Sequence, residues 1–171
     1  VLDGKHYYCG ALARLHNSYE TLLPKAKAFM MEIGFTLPTY NIFYNNLAQA
    51  IELIHHHEEL IGILSTIKIV HEEPVQPQTK AGHGIAANEA PRGTLWHEYK
   101  VDSDGYITYA NIVAPTTQAL LNMQEDIRAL VQSLLDQEMG KDTIKLEVEK
   151  LIRSYDPCFS CATHFLEVNW H

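Results

Sequence analysis

Near the end of the chain the sequence reads Asp156-Pro157-Cys158-Phe159-Ser160-Cys161-Ala162-Thr163-His164, which puts two thiols and an imidazole within seven residues. A Cys-x-x-Cys spacing lets both sulfurs converge on one metal. Thiolates favour zinc, copper(I), nickel or iron over magnesium and calcium. The spacing leaves the ion open, and such pairs also occur as unligated cysteines or in thiol–disulfide exchange. A tetrahedral zinc site needs a fourth ligand, and Cys9 has no second ligand beside it. Further ligands for any metal held here must come from elsewhere. The second constellation is Glu89-Ala90-Pro91-Arg92-Gly93-Thr94, where a proline fixes the backbone before an arginine and a strand follows at once. An arginine so placed can project a fixed positive charge into a cavity, although in isolation a solvated surface residue is the simpler reading.

Several elements must position these residues. Residues 1–16 are Gly-punctuated and read as irregular. From Asn17, the positions Tyr19, Leu22, Leu23, Ala26, Phe29, Met30 and Ile33 recur at helical spacing before Gly34, predicting a first helix to about Ile33. A longer helix is expected over Ile42–Ile67, with Leu47, Ile51, Ile54, Glu58, Ile61, Leu64 and Ile67 on a stripe built for burial. Residues 72–94 carry three prolines and three glycines and read as a long functional loop. The runs Thr94–Val101 and Tyr106–Val113 predict a hairpin across Asp102-Ser103-Asp104-Gly105. Pro115 opens a helix to about Gln137, and residues 143–154 form a last helix ending at Asp156-Pro157. The expected fold is one mostly α (α+β) domain over residues 1–171, helical with one β-hairpin.

Composition narrows the function classes. The chain has 171 residues, 46% of them hydrophobic, enough for one domain with a core. Thirteen Lys and Arg against 21 Asp and Glu leave a net charge of −8, which argues against nucleic acid and anionic membranes as partners. No apolar run approaches the roughly 20 residues of a membrane span, and no signal peptide opens the chain. Three cysteines are too few for a disulfide framework and point to an intracellular setting. The first residue is Val1, which fits a trimmed start or a piece of a longer chain.

Taken together, Gly10-Ala11-Leu12-Ala13-Arg14, Asn45-Asn46-Leu47-Ala48-Gln49-Ala50, Glu89 to Gly93, Val113-Ala114-Pro115-Thr116-Thr117-Gln118 and Asp156 to His164 resemble the large, catalytic subunit of [NiFe] hydrogenases. The likeness is greatest to the cytoplasmic, nicotinamide-linked or sulfhydrogenase-like branch. It implies reversible heterolytic cleavage of dihydrogen at a nickel–iron centre bearing cyanide and carbon monoxide. Such cleavage needs a Lewis-acidic metal, a base for the proton and a dry pocket.

The resemblance also implies roles. Cys158 would be a terminal nickel ligand able to accept a proton, and Cys161 would bridge nickel and iron. Pro91, Arg92 and Thr116 would line the diatomic ligands, with Arg92 and Asp156 part of a canopy over the open metal position. His164 would bind a magnesium or iron(II) ion and would be the last residue after a maturation protease removes residues 165–171. An iron–sulfur small subunit would receive the electrons. Family members carry a second Cys-x-x-Cys and a proton-transferring glutamate near their N-terminus, and residues 1–40 match neither. The chain therefore reads as the C-terminal part of a large subunit, a fragment or one half of a split gene product that the N-terminal half must complement.

Other readings compete. Glu52-Leu53-Ile54-His55 has the Glu-x-x-His spacing of di-iron bundles, but that architecture needs two such motifs and the chain has one. His55, His56 and His57 read more simply as a solvated helix face. A non-enzymatic zinc-binding or scaffold protein would use Cys158, Cys161 and His164 as a knuckle. An inert hydrogenase fragment is the remaining alternative.

Overall fold

The computed structural model describes residues 4–161 and contains five α-helices and one three-stranded antiparallel sheet. The mostly helical α+β class expected from the sequence is the one found. Helix α1 (Ala11–Ser18) and helix α2 (Pro24–Glu32) pack on the first half of helix α3 (Asn45–Thr66) around Leu12, Leu15, Leu22, Ala26, Phe35, Ala48 and Ile51. Helix α4 (Pro115–Asp136) and helix α5 (Lys141–Ser154) share two further clusters, one built on Ile42, Ala119, Met123, Leu151 and Tyr155, the other on Leu134, Ile144 and Val148.

The expected helix from Asn17 to Ile33 is in fact two helices, and the region before it is not all irregular, because α1 already begins at Ala11. Pro24 is the reason for the break. Proline disfavours the helical region for the residue before it, and Leu23 is extended at ψ 160°. Pro24 then opens α2 at a position where its missing N–H costs nothing. The Leu23 N–H, left without a helical partner, donates to His55 Nδ1 at 3.1 Å. His55 is therefore a half-buried partner of the α2 entrance rather than part of a solvated histidine face, while His56 and His57 are exposed.

Strand β1 (Gly82–Ala90) lies inside the segment expected to be a loop, so the hairpin becomes a three-stranded sheet with β2 (Gly93–Val101) and β3 (Ile107–Val113) in the order β1-β2-β3. Eight of the nine β1 residues are exposed, so no alternation of apolar and polar residues marks it in the sequence. Its order comes from backbone pairing with β2, from Gly82↔Val101 to Ala90↔Gly93. Pro91 and Arg92 are left as the two-residue tip between the strands. The β2–β3 turn forms as expected: Asp102 Oδ1 accepts from the Asp104 and Tyr106 N–H groups at 3.0 and 2.9 Å.

Helix α3 departs from expectation in its second half. Only Asn45, Ala48 and Ile51 are buried, whereas Ile61, Leu64 and Ile67 are more than half exposed. No described helix is long and apolar enough to cross a membrane.

Candidate metal centre

Three motif segments meet at Asp156. Its backbone has φ 50°, in the left-handed region that short polar side chains tolerate better than most. That twist turns the chain out of α5 and into Pro157-Cys158. The Arg92 guanidinium, reaching from the β1–β2 tip, donates through Nε to the Asp156 carbonyl at 2.8 Å and through Nη2 to Oδ1 at 3.1 Å. Gln49 of α3 donates to Oδ2 at 2.7 Å. Both carboxylate oxygens and the carbonyl are thus engaged, which fixes the direction in which the next residues leave.

Residues 158–161 form a tight turn closed by the Cys161 N–H on the Cys158 carbonyl at 3.2 Å. Buried Thr116, in the first turn of α4, accepts the Cys158 N–H through Oγ1 at 3.1 Å. The two sulfurs lie 2.7 Å apart on the same side of the turn, with Ser160 Oγ 3.5 Å from Cys158 Sγ. The hydrogen bond with the Cys161 thiol, then that with Ser160, lowers the Cys158 pKa to about 7. A thiol so poised becomes a good soft-metal ligand and proton acceptor near neutral pH.

Cys9 is of the opposite kind. Its thiol lies 3.7 Å from the Pro115 carbonyl, and burial pushes its pKa up. It packs against the same tip: a Cβ added to Gly93, whose φ is +129°, would stand 2.6 Å from Cys9 Sγ. Cys9 is a packing residue, consistent with its place directly before the Gly10–Arg14 segment.

Residues of two other motif segments act as braces. Asn45, with no exposed surface, accepts from Tyr8 Oη at 2.8 Å and the Leu12 N–H at 3.2 Å and donates to the Ser154 carbonyl at 2.9 Å. Gln118 donates to the Thr94 carbonyl at 2.6 Å and accepts from Tyr7 Oη at 2.9 Å. Helical periodicity shows only apolar stripes, so the sequence signal for these residues was the motif segments alone. Glu52, half of the Glu-x-x-His spacing, is bound instead to Arg14 Nε and Nη2 at 2.6 and 2.7 Å.

Of the residues singled out from the sequence, Arg92, Asp156, Thr116, Cys158 and Cys161 are brought together through these bonds. Pro91 sits exposed beside Arg92 at the tip. His164 and residues 165–171 lie outside the described residues. Among the described residues, His55, His56 and Glu59 also gather donor atoms within 4.8 Å. With its Nδ1 accepting from Leu23, however, His55 carries its proton on Nε2 and has no lone pair to offer there.

A paired soft-donor turn, with the Arg92–Asp156 bridge fixing the residue that leads into it, makes a candidate thiolate metal site. Residues 14–164 match the nickel-dependent hydrogenase family, and the chain belongs to that family. It is 32% identical over 169 residues to sulfhydrogenase 1 subunit alpha of Pyrococcus furiosus, covering 96% of this chain and 38% of that protein. It is 38% identical over 128 residues to the NAD-reducing hydrogenase HoxS subunit beta of Cupriavidus necator, covering 72% of this chain and 26% of that protein. The crystal structure of an NAD+-reducing [NiFe]-hydrogenase in its H2-reduced state superposes with a TM-score of 0.76 at 28% identity, over 95% of this chain and 37% of the other. The chain thus spans well under half the length of the relatives it matches.

Proposed function

We propose that this chain supplies the C-terminal part of the catalytic subunit of a [NiFe] hydrogenase, which interconverts H2 with two protons and two electrons. The observation that carries the reading is the Cys158–Cys161 pair, with sulfurs 2.7 Å apart and following directly on the Asp156 that Arg92 holds, in a chain matching the family over residues 14–164. The donor chemistry fits the metal: two soft thiols side by side, one with its pKa lowered to about 7. The third cysteine, Cys9, is held by Pro115, so the other thiolates of a nickel–iron centre come from outside this sequence. The N-terminal half of a large subunit is their source.

In this reading Cys158 and Cys161 would hold the nickel–iron centre, Cys158 as a terminal ligand and Cys161 as a shared one, with the iron carrying cyanide and carbon monoxide. His164 would hold a magnesium or iron(II) ion. When bound, the nickel–iron centre supplies the Lewis-acidic site at which dihydrogen is polarised. Cys158 Sγ, as a thiolate at the centre, would be the base for the proton. The Arg92 guanidinium, aligned by Asp156, would provide a fixed positive charge beside the entrance to the thiol turn. Pro91 and Thr116 would line the diatomic ligands, and Thr116 also holds the Cys158 backbone. Electrons leave through an iron–sulfur small subunit. The names of the NAD-reducing and sulfhydrogenase relatives support a cytoplasmic complex. A protease that cuts after His164 would remove residues 165–171 during maturation.

The test uses the native complex containing this chain, assayed for hydrogen-dependent reduction of a viologen dye. Activity is expected, and Arg92→Lys should lower it by about tenfold or more with nickel content unchanged, since lysine keeps the charge but loses the planar fork. Stoichiometric zinc in place of nickel, or no hydrogen uptake by the nickel-loaded complex, would overturn the reading.

A further inference from the structure

Strand β1, which leads into the tip that carries Arg92, is exposed along almost its whole length. Besides its pairing with β2, Cys9 against Gly93 and the bonds of Arg92 to Asp156, the tip is held from α1. Arg14 donates through Nη1 to the Ala90 carbonyl at 3.1 Å and through Nη2 to the Pro91 carbonyl at 2.8 Å. The same guanidinium is locked by Glu52 of α3 in a two-point bond, with Glu89 a further 3.5 Å contact. Arg14 and Glu52 side chains are only 24% and 12% exposed, so this pair is better shielded than an ordinary surface ion pair.

We propose that the Arg14–Glu52 pair positions Arg92 on Asp156 at the entrance to the thiol turn, a role that rests on the hydrogenase reading of the site. The Pro91 carbonyl belongs to the peptide unit that leads into Arg92, so fixing that oxygen fixes the plane from which the Arg92 side chain departs. Gln49 and Glu52 are three residues apart on α3 and share a face. Gln49 holds Asp156, while Glu52, through Arg14, holds the tip. One face of α3 therefore sets both ends of the Arg92–Asp156 bridge. A lysine at position 14 could not reproduce this, because a single ammonium cannot span two carboxylate oxygens and two carbonyls in one plane.

The native complex carrying Arg14→Lys, Glu52→Gln, Arg92→Lys and the Arg14→Lys/Arg92→Lys double substitution provides the test. With nickel retained, Arg14→Lys should speed deuterium uptake of residues 90–93 by about tenfold or more and lower turnover by about tenfold. Glu52→Gln, which keeps the shape, should shift both in the same direction by less. The double variant should be no slower than Arg92→Lys alone, because the clamp acts through Arg92. Unchanged uptake at 90–93 in both single clamp variants, or losses that multiply in the double variant, would overturn the positioning role. Deuterium uptake reports on the clamp whatever metal is bound. Nickel that stays bound after both Cys158→Ser and Cys161→Ser would instead overturn the hydrogenase reading.

Discussion

Asp156 shows how much one residue can be asked to do when its backbone conformation and side chain are used together. Its left-handed φ redirects the chain, its carboxylate joins α3 to the β1–β2 tip, and its carbonyl takes a second bond from Arg92. Gly93 is the matching constraint on the other side of the bridge. With φ +129° and Cys9 Sγ 2.6 Å from any added Cβ, Gly93→Ala should destabilise the protein by about 1–3 kcal/mol. Thermal unfolding checks this, and an unchanged midpoint would mean that Cys9 gives way. At this scale the sequence was legible where chemistry-bearing residues sit close together, as in Asp156 to Cys161. Asn45 and Gln49 were not legible as braces, because their partners lie more than 100 residues away at Ser154 and Asp156.

The elements were legible where one local rule acts alone. Pro115 opens α4 and the Asp102–Gly105 turn joins β2 to β3, both as expected. They were misread where two rules compete: an apolar stripe ran through Pro24, and proline prevailed because it removes a backbone donor and constrains its predecessor. Strand β1 was hidden because long-range pairing with β2, not its own composition, orders it.

The α4–α5 contact carries a pH prediction. Tyr155, 4% exposed, donates to Asp126 Oδ2 and accepts from Asn122 Nδ2 at 2.6 Å, and burial, followed by the bond to Asp126, pushes its pKa above the usual tyrosine range. The folded state thus holds this proton more tightly than the unfolded chain, where tyrosine ionises at about pH 10. The stability this contributes is complete below about pH 10 and is lost as pH rises further. Between about pH 9 and 11 the melting temperature should fall less steeply for Tyr155→Phe than for the parent protein. Equal slopes would show that the hydroxyl adds no pH-dependent stability.

For the whole molecule, the architecture can be read as a frame around one turn: α1 and α3 brace the Arg92 tip, α5 delivers Asp156, and α4 presents Thr116 to the Cys158 backbone. The helical class was legible from periodicity. Which part of a stripe is covered was not, because periodicity identifies an apolar row without its neighbour, and Ile61, Leu64 and Ile67 remain more than half exposed. The central claim is that Cys158 and Cys161 together hold nickel. Nickel K-edge X-ray absorption on the native complex tests it most directly. The parent complex should show nickel in a mainly sulfur shell at roughly 2.2–2.4 Å. Cys158→Ser should either remove one sulfur from that shell or abolish nickel binding, and Cys161→Ser should do the same. An unchanged nickel–sulfur shell in both variants would contradict the account.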